Sequence, residues 1–472
     1  MIWFVAFLSS FISFIVLFIS RKYLAGNEVH SGDTFFHLLI SKSIRNHKWK
    51  YPSSMQNVIF DEAEKKYNYL KYPPLFHYVV AVFPVKFHLK AARFLNLVVL
   101  CSLGTFAGIF SYTLTSQVII AIFSSFIVVF NMAVFELEVM FTPRPLGLLF
   151  YSLVAFISIF YSQSPLSILA IPLLVALIIL THKFAFQILI FSLLPYAVIF
   201  NKSVLLLGFA LGVLFAIIIS KGGSLKILKE HISWLYFYSR FPSRAPYFDK
   251  LKSIIIRNFW YIAIIFSCLL LFYIDSIWFS TKFISDIFFW TFIPLAVALL
   301  VSIPYLSFLG EDYRYIEYSI FPAGIASSLL IANSNVFVLL AFLTCFFVSI
   351  LALYKYKILL HKRKNLVNPD DVLSYQTLRN YSLGNLLVFP HTRTLEVNYF
   401  TGLKVVHPVR SKESMTTSQI LANLLSKYEI RHVLKFKSQY SNEEFETLKS
   451  MVNLTMISDF NNLELYEIST LM

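Results

Sequence analysis

The chain has 472 residues, 58% hydrophobic and 18% aromatic, with a mean hydropathy of +0.70. A soluble globular chain is about 45–50% apolar, and the excess here comes as charge-free runs at 165–180, 204–220 and 335–354 that have no polar face, which excludes an ordinary soluble fold. The formal charge is +15, but the basic residues lie between apolar runs and in the tail, so anionic headgroups or a phosphorylated lipid are the expected partners and nucleic acid is not.

The first apolar run, 2–20, is followed by Arg21 and Lys22 with no small-residue cleavage site, so it reads as a retained helix. A long loop, 21–92, comes next. It opens on His30-Ser31-Gly32-Asp33-Thr34-Phe35-Phe36-His37, where Asp33 and His37 are spaced i, i+4 and share a face if Asp33 begins a helix. Phe36, Leu39, Ile40 and Ile44 then predict a helix lying along the membrane surface. Asp33 as a plain N-cap is the other reading. The loop closes on Tyr72-Pro73-Pro74-Leu75-Phe76-His77-Tyr78, whose prolines stop one element and start the next. Arg93 stands at the mouth of the second predicted span, 93–113.

After a span at 117–135, the segment from Phe135 to Gly147 carries Glu136, Glu138 and Arg144. A charge at a helix centre costs about 2.5–3.5 kcal/mol on the insertion scale, so these groups belong at an interface or around a wet cavity. Interfacial anchoring by Arg144 is the alternative. Spans at 145–161 and 165–181 lead to Thr181-His182-Lys183, a polar break before spans at 184–200 and 203–220. The loop 221–257 mixes Trp234, Tyr236, Tyr238, Arg240 and Arg244, a composition that also suits an interfacial segment. Spans at 258–275 and 286–308 precede Glu311-Asp312-Tyr313-Arg314-Tyr315, where a guanidinium beside tyrosines is suited to grip a phosphate. Spans at 316–332 and 336–354 bring the count to about eleven. Cys101, Cys268 and Cys345 fall within apolar runs and read as small hydrophobes.

The remainder, 361–472, has soluble composition. Strands are predicted at 386–389, 404–406, 433–436 and 463–468, and helices at 417–427 and 442–452, a small α/β domain without a catalytic motif. An odd span count puts this tail, the first loop and the 136–144, 181–183, 221–257 and 310–315 segments on one side of the membrane. If Met1 starts in the cytoplasm, that side is external, against the positive-inside rule but with only tiny loops opposite. Carboxylates meeting cations at one face suit transfer from a phosphate leaving group: the carboxylate removes a proton from a hydroxyl and the cations hold the departing phosphate.

The order of these motifs resembles the GT-C superfamily of integral membrane glycosyltransferases, which use polyprenyl-phosphate-linked sugars. Gly32-Asp33-Thr34-Phe35-Phe36-His37 is similar to the family's first-loop acidic motif, Tyr72-Pro73-Pro74-Leu75-Phe76 to its Tyr-Pro-Pro-Leu-like segment, and Ala92-Arg93 to the arginine opening its second span. Arg314-Tyr315 with Pro322 resembles a later Arg-Tyr before a proline-containing span. The resemblance implies an α-helical polytopic membrane protein of GT-C type in the plasma membrane: a catalytic domain over 1–360 and a soluble α/β domain, commonly external, over 361–472. It implies Asp33 as general base, His37 as the group that orients it or touches phosphate, and Glu138 or its neighbour Glu136 as a second acid. Neither glutamate stands in the commoner Asp-x-x-Leu context; Thr142-Pro143-Arg144-Pro145 is found instead. Arg93, Arg144, His182, Lys183, Arg314 and Tyr315 are the implied donor and phosphate ligands. Arg240, Arg244 and Tyr72 are implied for the acceptor side and a loop that covers the donor.

The implied reaction moves a sugar from a polyprenyl-phosphate donor to a hydroxyl of a lipid-linked glycan, lipid or protein acceptor. The Trp-Trp-Asp motif of the oligosaccharyltransferase branch is absent, which disfavours transfer to asparagine. No cofactor or resident metal is expected, a divalent ion being left open. The rival reading is a transporter or flippase for a lipid-linked anion, but no internal repeat is found and the polar groups gather at span ends rather than midspan.

Overall fold

The protein is described from a computed structural model, over residues 1–25, 29–30, 33–52, 58–60, 72–239, 282–310, 312–332, 347, 350–351, 353–358, 366–367, 369–381, 383–407, 417–437, 442–460 and 462–471. The expected span 258–275, most of 336–354, and Arg240 and Arg244 of the expected covering loop lie outside these residues.

Helix α1 (Ile2–Leu24) is followed by a short strand β1 (Val29–His30), helix α2 (Asp33–Asn46), strand β2 (Val58–Phe60) and helix α3 (Leu75–Ala81). The apolar body follows as α4 (His88–Thr115), α5 (Val118–Val129), α6 (Met132–Val139), α7 (Arg144–Phe160), α8 (Pro165–Thr181), α9 (Lys183–Ile199) and α10 (Ser203–Ile219). Helix α11 (Gly223–Ser239) occupies the first part of the expected 221–257 loop, and α12 (Lys282–Ser302), α13 (Asp312–Ile316) and α14 (Ile320–Ala332) complete the described part of this body.

The body is packed around a large apolar core, but its first helix also presents apolar side chains outward. Helix α1 turns Trp3, Phe4, Phe7, Phe11, Phe14 and Phe18 outward and buries Ser9 and Ser13. Those serines sit on Gly104 and Gly108 of α4, where an added Cβ would collide with the serine hydroxyls. Lipid gives helices no hydrophobic reason to associate, so close contact depends on small residues that let backbones approach. The GxxxG step on α4 and the SxxxS step on α1 provide that contact, and Ser10 and Thr105 add a hydroxyl–hydroxyl bond of 2.9 Å beside it.

The length of the apolar helices does not bear out the expected span count among the described residues. Among the described residues three helices, Ile2–Leu24, Val85–Thr115 and Ser285–Ser302, are long and apolar enough to cross a membrane; counting two bent pairs as single spans gives five. Of these pairs, Val118–Val129 breaks from the next helix at Asn131, whose side chain accepts from the Ala133 amide at 2.8 Å and caps α6. Ser203–Ile219 turns by 111° into Gly223–Ser233. Helices α7, α8 and α9 are apolar but 17 residues long, about 26 Å at 1.5 Å per residue, against a hydrocarbon core of about 30 Å. The count of about eleven is therefore not reached among the described residues.

The tail contains β3 (Leu366–Val367), α15 (Pro369–Leu378), β4 (Asn385–Phe389), α16 (Thr394–Thr401), β5 (Val405–His407), α17 (Thr417–Tyr428), β6 (Ile430–Phe436), α18 (Asn442–Lys449), β7 (Val452–Asp459) and β8 (Leu463–Leu471). Its six-stranded sheet has the order β2-β5-β4-β6-β8-β7. The four strands from β2 to β6 are parallel, and β8 and β7 complete the sheet by antiparallel pairing. One edge strand, β2, comes from the first loop rather than from the tail, pairing Val58 with Val405 and Phe60 with His407. A second junction pairs β1 with β3 in antiparallel register. The first loop and the tail therefore fold as one body.

That body changes the place of α2. Its apolar residues Phe35, Phe36, Leu38, Leu39, Ile40 and Ile44 are all buried, not laid on lipid as its amphipathicity suggests. They share a core with Leu386, Val388 and Leu434 of the sheet. Phe35 packs on the rings of Tyr399 and Phe400 at 5.5 and 5.4 Å, and the Lys42 ammonium donates to the Tyr399 carbonyl at 3.2 Å.

Candidate active site

Asp33 is the first residue of α2 and is exposed, whereas Thr34 to Ile40 behind it are buried. The Thr34 hydroxyl accepts from the Phe141 amide at 3.2 Å, which ties the start of α2 to the chain between α6 and α7. Tyr72 stands at the centre of the polar groups. Its ring lies 4.9 Å from that of His37 and 6.2 Å from that of His182, and the Lys183 ammonium is 5.5 Å from its centroid. Burial raises the Tyr72 hydroxyl above its ordinary value; Arg314 and Arg144 oppose the shift and the Asp33 carboxylate adds to it. One hydroxyl thus feels a carboxylate and two guanidinium groups.

Arg144 opens α7 behind Pro143, and its guanidinium is hydrogen-bonded to the carboxylate of Glu317, both side chains being buried. The neighbouring Tyr318 meets His182 Nδ1 at 3.1 Å. The close approach of α7 to this turn depends on Gly147, where a Cβ would come within 2.9 Å of His182 Cβ and 3.0 Å of Ala185 Cβ. The Arg314 guanidinium stacks 5.1 Å from the Phe184 ring. Tyr315 is turned away, its hydroxyl donating to the Leu309 carbonyl at 2.7 Å.

Two histidines have tautomers that their partners decide. The Ala185 amide donates to His182 Nδ1 at 3.3 Å, so that nitrogen offers a lone pair and the proton sits on Nε2. Nε2 is buried without a hydrogen-bond partner among the described residues. Burial, reinforced by Arg144 and Arg314, holds His182 well below the ordinary histidine value, so it is a neutral donor. On the other side of Tyr72, His37 Nδ1 lies 2.9 Å from His77 Nε2, and His77 Nδ1 lies 3.1 Å from the Pro73 carbonyl. Burial lowers His37 to about 3, and burial with the neighbouring His37 lowers His77 well below its usual range, so both rings are neutral. A carbonyl only accepts, so His77 carries its proton on Nδ1 and accepts at Nε2. His37 therefore donates from Nδ1, and its own Nε2 is left as a lone pair.

The two glutamates of α6 face opposite ways, because residues two apart on a helix differ by about 200°. Glu138 faces Arg21, whose guanidinium is 3.6 Å from its carboxylate and donates to its backbone carbonyl at 2.8 Å. Arg93 contributes to the field at that pair. Glu136 instead acts on Glu317. The residues expected together thus fall into two groups. Tyr72 is in ring contact with His37, His182 and Lys183 and in the field of Asp33, Arg144 and Arg314, and Arg144 pairs with Glu317, which also feels Glu136, while Glu138 and Arg93 sit with Arg21. Glu317, Tyr318 and His77 join the first group without having been singled out in the sequence. Glu317 hides at the start of an apolar run, and His77 signals only by its i, i+4 distance from Pro73. Among the described residues, no group of three or more His, Cys, Asp or Glu side chains is disposed to hold a metal ion.

The fold agrees with the GT-C fold expected from the sequence motifs. No protein-family model and no curated protein matches the chain. Among solved structures it is similar to ArnT from Cupriavidus metallidurans bound to undecaprenyl phosphate, with a TM-score of 0.59 and 11% identity over 98% of this chain and 97% of that one. Apo ArnT matches with a TM-score of 0.58 and 13% identity over 96% of each chain. The archaeal oligosaccharyltransferase AglB from Archaeoglobus fulgidus, in complex with an inhibitory peptide and a dolichol-phosphate, matches with a TM-score of 0.51 and 13% identity over 97% of this chain and 74% of that one.

Proposed function

We propose that this protein is a membrane glycosyltransferase that moves a sugar from a polyprenyl-phosphate donor to a hydroxyl of a lipid-linked glycan, lipid or protein acceptor. The reaction takes place at the external face of the plasma membrane, where the first loop and the tail lie. The observation that carries the reading is the gathering of opposite charges at Tyr72, which feels the Asp33 carboxylate and the Arg144 and Arg314 guanidinium groups and has the Lys183 ammonium and the His182 ring beside its own ring. The likeness to ArnT bound to undecaprenyl phosphate supports the same kind of donor.

In the proposed step the Asp33 carboxylate takes the proton from the acceptor hydroxyl as its oxygen attacks C1 of the sugar. The C1–O bond to the phosphate breaks and its electron pair stays on the phosphate oxygen. Arg314, Lys183 and His182 Nε2–H face the charge that develops there. Arg144 is already paired with Glu317, so it holds its guanidinium in place at little net charge. Glu136, which acts electrostatically on Glu317, is the second carboxylate assigned to this group.

The test is transfer by the purified protein from radiolabelled undecaprenyl-phosphate sugars in EDTA. Transfer is expected to persist without metal, and Asp33→Asn is expected to lower it by about 10²–10⁴-fold while the donor still binds. An Asp33→Asn protein as active as the wild type would remove Asp33 as the base. Movement of the intact lipid across the bilayer with no sugar transferred would replace the reading with transport.

A further inference from the structure

The His37–His77 pair has no assigned work in the reaction above. Both rings are buried, and the chain Pro73 carbonyl, His77, His37 fixes one protonation pattern at 3.1 and 2.9 Å. The His37 ring is held by Tyr72, Phe76 and His77 at 4.9, 6.1 and 5.1 Å. It lies one helical turn from Asp33 and within electrostatic reach of His182. From this geometry we propose that His37 Nε2 is a hydroxyl-binding subsite: it accepts a hydrogen bond from a hydroxyl of the sugar being transferred. The subsite rests on the glycosyltransferase reading and deepens it.

The chemistry follows from which atoms can donate. A phosphodiester has no proton on its oxygens, so a neutral imidazole lone pair repels it. The cations and His182 Nε2–H, which are donors, suit the phosphate instead. The sugar's hydroxyls are donors, and Asp33 is engaged with the acceptor's hydroxyl. His37 Nε2 is a ready acceptor for a sugar hydroxyl because His77 and Pro73 deny the ring its other tautomer. His77 is accordingly a positioning residue, acting through His37.

The experiment compares affinities of the full-length protein for bare undecaprenyl phosphate and for undecaprenyl-phosphate mannose, glucose and arabinose. Wild type is expected to prefer at least one sugar-loaded lipid over the bare one. His37→Asn keeps an amide to bond His77 but lacks Nε2, and should weaken binding of the preferred sugar-loaded lipid roughly tenfold, leaving bare-lipid affinity unchanged. His77→Phe should do the same by releasing the His37 tautomer. His77→Gln, whose carbonyl can accept from His37 Nδ1–H, should restore the affinity. Equal losses for bare and loaded lipid, no loss at all, equal behaviour of the Phe and Gln variants, or a wild type with no preference for sugar would each overturn the subsite. A wild type that does not bind even the bare lipid would overturn the donor reading beneath it.

Discussion

Arg144 and Glu317 show what burial does to a single pair of residues. Each is nearly inaccessible, and each keeps the other from being an isolated charge in an apolar body. Removing one partner of such a pair costs about 3–5 kcal/mol, whereas replacing both by apolar side chains is often neutral. Arg144→Gln is therefore expected to lower the thermal midpoint of the purified protein sharply. Arg144→Met with Glu317→Met should recover most of that stability but not sugar transfer. A single variant as stable as wild type would contradict the buried pair. Arg144 was legible in the sequence because a charge amid apolar residues is conspicuous. Glu317 was not, because its meaning lies in a partner 173 positions away.

At the scale of elements, periodicity identified what kind of structure forms more reliably than what it faces. The tail strands and the helix at 417 follow their alternation and apolar spacing. The spacing over 442–452 predicts one helix, yet the helix ends at Lys449 and Val452 opens β7; β7 is extended because it pairs antiparallel with β8, the next strand in the chain. The amphipathic pattern of α2 is equally compatible with lipid and with a protein core, and the sheet of the tail decides it. In the apolar body, the contact of α1 with α4 depends on Gly104 and Gly108. Gly108→Leu should overpack that contact and cost about 1–3 kcal/mol, read as a lower thermal midpoint in detergent. An unchanged midpoint would show that the serine face of α1 does not rest there.

Across the whole molecule, the strand β2 links the first loop to the tail's sheet. The loop that carries Asp33 and Tyr72 is thereby held by the sheet of the tail as well as by the apolar helices. This makes a topological prediction that no span count enters. In a protein without its native cysteines, single cysteines replacing the exposed Lys48 and Thr455 should be labelled by a membrane-impermeant reagent from the same side. Labelling of both in intact cells is expected if that side is external. Labelling of one only before permeabilisation would be incompatible with the β2–β5 pairing.

By itself the sequence determined that the chain lives in a membrane, that its tail is a small α/β unit, and that Asp33, Arg144, His182 and Arg314 are out of place unless they meet. These are local properties: hydropathy, alternation, and the cost of a charge in an apolar run. Only the tertiary structure decided that Glu136 and Glu138 part to opposite sides of one helix, and that His77 sets the tautomer of His37. It also decided that α2 lies under a sheet, one of whose strands comes from its own loop. Each of these depends on contacts between segments far apart in the chain, and hydropathy and periodicity carry no record of which distant segment will arrive.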